Sequence, residues 1–200
     1  IFCTKEQIRE QVVELLKLTD VIYKTFGFKY KLYLSTRPEK YMGEVKIWDQ
    51  AEKSLKEALE ENKIPFELNE GDGAFYGPKI DLYLKDSQGR TWQCNTTQLD
   101  MQMPKRFEIT YTGKDNKEHT PFVIHRTVIG SLERFIGILL EHTSGNLPVW
   151  LSPTQVRIIS FTDKNNKAVN SLLEELKEKI PGLRIDSDLE STSVSDKVRY

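Results

Sequence analysis

The sequence predicts an α+β domain built on an antiparallel sheet, followed by the beginning of an α/β domain. Two observations predict the first domain. Alternating apolar runs separated by short turns follow one another between residues 80 and 128. Helical periodicities stand before and after these runs rather than between them, which favours antiparallel pairing over a parallel α/β wheel. A third observation predicts the second domain. Beyond Leu147-Pro148 and Leu151-Ser152-Pro153 the order becomes strand, helix, strand, the βαβ pattern of a doubly wound unit. The expected division is therefore residues 1–150 and residues 151–200.

Each element has a local reason. Thr4-Lys5-Glu6-Gln7 has the form of a capping box. The helix after it carries Ile8, Val12, Leu15, Leu16, Ile22 and Tyr23 at helical spacing and stops at Gly27. Residues 30–35 read as a strand and residues 47–62 as a second helix, with Trp48, Ala51, Leu55, Ala58 and Leu59 inward and Pro65 behind it. Ile80, Leu82 and Leu84 alternate with polar residues, and Asp86-Ser87-Gln88-Gly89 turns the chain into a return strand over residues 91–99. Residues 107–112 read as a further strand, and Gly113-Lys114-Asp115-Asn116-Lys117 as the turn into a strand over 122–128. After Gly130-Ser131 an amphipathic helix opens, expected to bury Leu132, Phe135, Ile136, Leu139 and Leu140. In the second unit, residues 155–161 and 183–187 read as strands. The helices there are residues 164–179, with Val169, Leu172, Leu173 and Leu176 inward, and residues 193–200.

Composition narrows the function classes. A net charge of −1 carries no global signature of nucleic-acid binding, so such contacts must rest on local patches. Two cysteines make no disulfide framework and suit a reducing, cytoplasmic compartment. No apolar run approaches the roughly 20 residues of a membrane span. The chain opens at Ile1 and stops at Arg199-Tyr200 inside a helical pattern, so it reads as part of a longer polypeptide.

The most informative stretch is Val123-Ile124-His125-Arg126-Thr127-Val128-Ile129-Gly130-Ser131-Leu132-Glu133-Arg134-Phe135. A strand delivers His125 and Arg126 to its end, Gly130 lets the backbone be approached closely, and Arg134 sits in the first turn of the next helix. Taken alone, these residues are equally compatible with a core histidine and a surface charge. On their own, Gly77-Pro78 reads as an ordinary turn and Lys79 as an exposed strand charge in preference to site residues. Trp48 and Trp92 read as core aromatics, Met101 and Met103 as core or subunit-contact filling, and His119 and His142 as structural.

Four segments together carry a resemblance. Ser35-Thr36-Arg37-Pro38-Glu39-Lys40, Gly73-Ala74-Phe75-Tyr76-Gly77-Pro78-Lys79, Gln93-Cys94-Asn95-Thr96-Thr97-Gln98-Leu99-Asp100 and the stretch 125–135 resemble, in order and spacing, the class II threonyl-tRNA synthetases. The likeness runs over essentially all 200 residues. Trp150-Leu151-Ser152-Pro153 is similar to the family's junction into its anticodon-binding domain. The resemblance implies a partial class II synthetase catalytic core with the start of an α/β anticodon-binding domain.

It also implies roles. His125 matches a zinc ligand. Gly130, Ser131, Glu133 and Arg134 match motif 3, whose arginine lies against ATP. Tyr76 and Lys79 match residues lining the threonine and adenylate pocket. Gln93, Thr96 and Gln98 match the strand that contacts adenylate and the terminal ribose of the tRNA. Asn95 departs from a position where the family usually has a small residue. The family's other two zinc ligands, a Cys and a His, and motifs 1 and 2 are expected upstream of Ile1, and neither Cys3 nor Cys94 matches the zinc cysteine. The implied activity is threonine-tRNA ligation with Zn²⁺ and Mg²⁺-ATP. The implied partners are threonine, tRNA(Thr) and a second copy in a homodimer. Another class II synthetase, prolyl or seryl, and a non-catalytic RNA-binding module derived from a synthetase are the alternatives. The chain by itself is expected to be inactive.

Overall fold

The structure, a computed structural model, describes residues 1–199. They form two compact units, divided between Ser144 and Gly145.

The first unit is an α+β domain. Its strands are β1 (Phe2–Cys3), β2 (Lys29–Ser35), β3 (Glu67–Asn69), β4 (Lys79–Lys85), β5 (Thr91–Asp100) and, after a small two-stranded ribbon, β8 (Phe122–Thr127). They make a six-stranded sheet in the order β1-β8-β5-β4-β2-β3, antiparallel at every pair except β2–β3. This is the predicted fold class.

Helices α1 (Ile8–Thr25) and α2 (Val45–Glu61) precede the central hairpin. Gln7 Oε1 accepts from the Thr4 amide at 2.9 Å just before α1, so the capping residues read from the sequence meet. The inward stripe of α1 is Ile8, Val12, Leu15, Leu16, Thr19 and Tyr23, and that of α2 is Trp48, Ala51, Leu55, Ala58 and Leu59. Strand register places Leu32 opposite Leu82, Leu34 opposite Ile80, and Leu99 opposite Ile124, so these side chains share one face of the sheet. All six are buried. Each contributes about 1.5–3 kcal/mol by leaving water.

Two expectations are corrected. Residues 107–112 do not extend the sheet. Pro104 lies in a short helix, α3 (Met103–Arg106), and only Tyr111–Thr112 (β6) is extended, pairing with Glu118–His119 (β7) in a separate ribbon. Proline suits the first turn of a helix, because no intrahelical partner waits there for its missing N–H.

Second, helix α4 (Leu132–His142) buries Phe135, Ile138 and Leu139, whereas Leu132, Ile136 and Leu140 are exposed. Apolar residues line more than one side of α4, and its orientation follows from an aromatic cluster. Phe135 lies 5.1 Å from Phe26, 5.7 Å from Phe28 and 6.3 Å from Tyr23, ring centre to ring centre, in edge-on geometry. In β4, Asp81, on the polar face, is as fully buried as Leu82.

The second unit pairs β9 (Val156–Ile159) with β10 (Ile185–Asp188) in parallel across α5 (Asn166–Lys179), as the βαβ pattern predicts. Only Val169 of the inward residues expected on α5 is buried. Helix α6 spans Val194–Arg199, and the expected helical Tyr200 lies outside the described residues.

Candidate active site

The sheet face opposite the apolar one is organised in transverse rows. Ser35, Lys79, Gln98 and His125 occupy one row, and Tyr33, Asp81, Thr96 and Thr127 the next. Tyr83 pairs with Gln93 in a third row. Five residues expected to bind substrate or metal, Lys79, Gln93, Thr96, Gln98 and His125, therefore stand on one side of one sheet. Rigid strands hold a constellation more accurately than loops do.

At the centre lies the carboxylate of Asp81, with no solvent exposure. Its Oδ1 accepts from Gln93 Nε2 at 2.7 Å and from Thr96 Oγ1 at 2.5 Å. Its Oδ2 accepts from Ser35 Oγ at 2.9 Å and pairs with Lys79 Nζ at 2.9 Å. Lys79 also reaches Asp72 at 3.2 Å. Burial pulls the Lys79 ammonium toward neutrality, but the two carboxylates outweigh it and its pKa is raised, so it is cationic.

Tyr76 is brought to this face by a strapped loop. Gly73 N donates to Thr36 O at 2.7 Å, Gly77 N to Ala74 O at 3.2 Å, and Leu99 N to Pro78 O at 3.0 Å. Gly77 has no alternative: a Cβ there would lie 1.7 Å from the Leu99 carbonyl oxygen. The Tyr76 hydroxyl donates to Gln98 Oε1, and its ring stands edge-on to His125 with centres 5.9 Å apart. Burial and nearby Asp100 raise the Tyr76 pKa against the pull of Lys79, keeping the phenol protonated.

His125 is half-exposed, and its Nε2 meets Oδ2 of the fully buried Asp100 at 2.9 Å. Asp100 Oδ1 in turn accepts from the amides of Gln102 and Met103, both at 2.9 Å. A carboxylate behind a histidine is how metal-binding imidazoles are oriented, so His125 fits the role of a single ligand. Among the described residues no group of three His, Cys, Asp or Glu is gathered for a metal. Burial raises both cysteine thiols, and neither approaches His125 in the hydrogen-bond network.

Arg134 and Ser131 stand apart from this row. Ser131 caps α4, its Oγ accepting from the Arg134 amide at 3.4 Å and donating to Glu133 at 2.7 Å. The preceding Gly130 has φ +67°, and a Cβ there would lie 2.9 Å from the Cys94 carbonyl oxygen. The Arg134 guanidinium lies over Trp92, 5.1 Å from the ring centre, with Arg90 5.4 Å from the same ring. Trp92 is fixed in turn by Nε1, which donates to Asp86 Oδ2 at 2.9 Å. Among the described residues, no hydrogen bond or ion pair joins Arg134 to the Asp81 group.

Sequence reasoning did not single out Asp81 or Asp100, and it read Trp92, which is only partly buried beneath Arg134, as a core aromatic. The available signal was an aspartate inside a strand, a position that disfavours it unless it is engaged. Asn95 is accommodated: its Nδ2 donates to Thr19 Oγ1 at 3.2 Å and to Val128 O at 3.3 Å. His142 packs 4.5 Å from Phe28 and His119 pairs with Asp115, so both are accounted for structurally.

Residues 1–143 match the family described as tRNA synthetase class II core domain (G, H, P, S and T). The chain belongs to that class II synthetase core family. Within it, the chain is similar over its whole length to threonyl members. The chain is 53% identical over 199 residues to the threonine-tRNA ligase of Clostridioides difficile (strain 630) and 51% identical to that of Clostridium tetani (strain Massachusetts / E88). Each alignment covers all of this chain and 31% of the relative, so the chain spans about a third of the curated relatives' length. A crystal structure of the RNA binding domain of threonyl-tRNA synthetase from Cryptosporidium parvum Iowa II superposes with TM-score 0.93 at 42% identity, over the whole chain and 50% of the other. Giardia lamblia prolyl-tRNA synthetase, with TM-score 0.64 at 20% identity over 98% of this class II core chain and 36% of its own, shares the fold. Among the described residues no helix is long and apolar enough to cross a membrane.

Proposed function

We propose that this chain supplies part of the active site of a threonine-tRNA ligase, which activates threonine with Mg²⁺-ATP and transfers it to tRNA(Thr), in a homodimer. The observation that carries the reading is the shared sheet face: Lys79, Gln93, Thr96, Gln98 and His125 stand in adjacent rows, with Tyr76 bonded into them.

The residues divide the chemistry. Activation is attack by a carboxylate on the α-phosphorus of ATP, so positioning and charge neutralisation dominate over covalent work by the protein. Lys79 is a cation held among acceptors, suited to the charge that develops on the phosphoryl oxygens. Arg134, stacked over Trp92, presents a planar cation suited to an adenine ring or to phosphate oxygens. The neutral phenol of Tyr76 and the amides of Gln93 and Gln98 orient polar groups of the adenylate and of the tRNA's terminal ribose.

His125, oriented by Asp100, would be one ligand of a zinc ion, with the Cys and His implied by the family outside these residues. When bound, the zinc supplies open coordination positions for the amine and hydroxyl of threonine. A site that demands the hydroxyl rejects valine by roughly 10⁴-fold or more, whereas an apolar pocket rejects an isostere poorly. Serine keeps the hydroxyl and is rejected weakly.

The test is amino-acid-dependent ATP–pyrophosphate exchange by the full-length protein, with threonine, serine, valine and proline compared with and without a chelator. Exchange with threonine that chelation abolishes is expected. Exchange with proline, or none at all, overturns the reading. His125→Ala is expected to lower zinc content and threonine activation together, and unchanged zinc stoichiometry would remove His125 from the ligand set.

A further inference from the structure

A carboxylate accepts about four hydrogen bonds and donates none. Asp81 takes four donors, two on each oxygen: Gln93 and Thr96 on Oδ1, Ser35 and Lys79 on Oδ2. It is saturated, and it has no exposure through which water could replace a donor. This has a directional consequence for each partner. A threonine hydroxyl has one proton, and Thr96 spends it on Asp81, so Thr96 offers only lone pairs to anything bound above the sheet. Because the carboxylate cannot donate, Gln93 must face it with Nε2 and turn Oε1 away, where it accepts from the Tyr83 hydroxyl at 3.4 Å and keeps a second lone pair. Lys79 keeps the donors that Asp81 and Asp72 leave free. The face thus presents acceptors at Thr96 and Gln93 and one fixed cation at Lys79. That pattern suits a ligand with hydroxyl donors on one side and anionic oxygens on the other.

We propose that Asp81 is a positioning residue of this site: it fixes Lys79 over the sheet and sets Thr96 and Gln93 as acceptors toward a hydroxyl-bearing, anionic ligand. This rests on the ligase reading above, and the experiment separates the two. Asp81→Asn keeps the shape but puts an NH₂ where one oxygen accepts two donors, so the four donors can no longer all be satisfied.

Two arms test it in the full-length protein. The first reads Lys79 without catalysis: acetic anhydride labelling measured by mass spectrometry, with the exposed Lys31 as internal reference. Side-chain exposure is 14% for Lys79 and 67% for Lys31, so Lys79 is expected to label slowly in the parent. It should label at least about fivefold faster in Asp81→Asn, because Nζ released from its buried carboxylate is more exposed and gives up more readily the proton that blocks acylation. The second arm is a double-mutant cycle on threonine-dependent exchange. Asp81→Asn is expected to lower kcat about a hundredfold or more, the scale of losing one preorganised charged interaction. In a Lys79→Met background the same change should add less than about threefold, because both act through one cation.

Unchanged Lys79 labelling overturns the proposal, and so do multiplicative losses in the cycle, which mark a general structural role. If Lys79→Met leaves exchange intact, the catalytic assignment of Lys79 falls, and the labelling arm alone decides whether Asp81 holds it. Should Asp81→Asn fail to fold, Ser35→Ala loosens the same carboxylate by one donor. It is then expected to raise Lys79 labelling about twofold, with no rise counting against the proposal.

Discussion

Replacing Gly77 by alanine tests how the site loop is held. The added Cβ would lie 1.7 Å from the Leu99 carbonyl oxygen. Reaching ordinary contact near 3.5 Å requires the loop to retreat by roughly 1.5–2 Å. Leu99 is a poor candidate to yield, since β5 is hydrogen-bonded on both sides, to β4 and to β8. The retreat instead stretches the Leu99 N to Pro78 O bond, now 3.0 Å, and displaces Tyr76 and Lys79 on either side. Overpacking and one lost buried hydrogen bond together cost about 2–4 kcal/mol. A misplacement of an ångström or more at reacting groups costs on the order of a hundredfold in rate. Gly77→Ala should therefore lower the thermal midpoint by several degrees and threonine-dependent exchange by about two orders of magnitude. Circular dichroism melts and the exchange assay measure the two. A variant that melts with the parent and keeps its rate within about twofold would refute the packing argument.

Other perturbations have opposite or separable signs. Gly137 lies in α4 with nothing within 4 Å of an added Cβ, so Gly137→Ala should stabilise by about 0.5–1 kcal/mol; a lower urea midpoint would contradict this. Asp86 is buried, which raises its pKa, but the Trp92 indole, the Arg90 guanidinium and the Arg90 amide outweigh burial and lower it strongly. A carboxyl depressed in the folded state stabilises above its unfolded pKa, near 4, and that stability is lost as pH falls through and below that value. The melting gap between the parent and Asp86→Asn should accordingly shrink from pH 6 to pH 3, and a gap independent of pH would refute the assignment. Arg134→Lys keeps the charge but loses the planar stack on Trp92, on the order of 0.5–2 kcal/mol. The KM for ATP in the exchange assay should then rise roughly two- to thirtyfold, and an unchanged KM would show that the stack is incidental.

Much of the fold was legible because local signals agreed with one another. The spacings of α1 and α2, the Asp86–Gly89 turn and the Ser131 cap each carried an element to within a few residues. What was not legible depended on partners distant in sequence. The phase of α4 follows from where Phe26, Phe28 and Tyr23 stand, which the helix's own apolar pattern does not encode. Residues 107–112 had the composition of a strand, but the chain before them is taken up by α3 and only Tyr111–Thr112 pairs, with β7 in the separate ribbon. The site was legible as motifs and not as a network. Alternation placed Asp81 only as one of the polar positions between Ile80, Leu82 and Leu84. Its burial became visible only once Ser35 of β2 and Gln93 and Thr96 of β5 were seen to converge on it.

One irregularity in the central hairpin has a wider meaning. The register slips between Leu82 and Tyr83, leaving Cys94 without a cross-strand partner. Side chains along a strand normally alternate, so residues three apart point to opposite sides. Gln93 and Thr96 are three apart, yet both reach the same oxygen of Asp81. The extra residue acts as a change of phase. Before it, odd-numbered positions face the polar side; after it, even-numbered ones do. Drawing the strand straight with Cys94 taken into the ladder would rotate one half of it by half a turn, exchanging Trp92 and Gln93 between faces. A polar constellation and an apolar core on one strand thus both depend on a single residue staying out of the pairing.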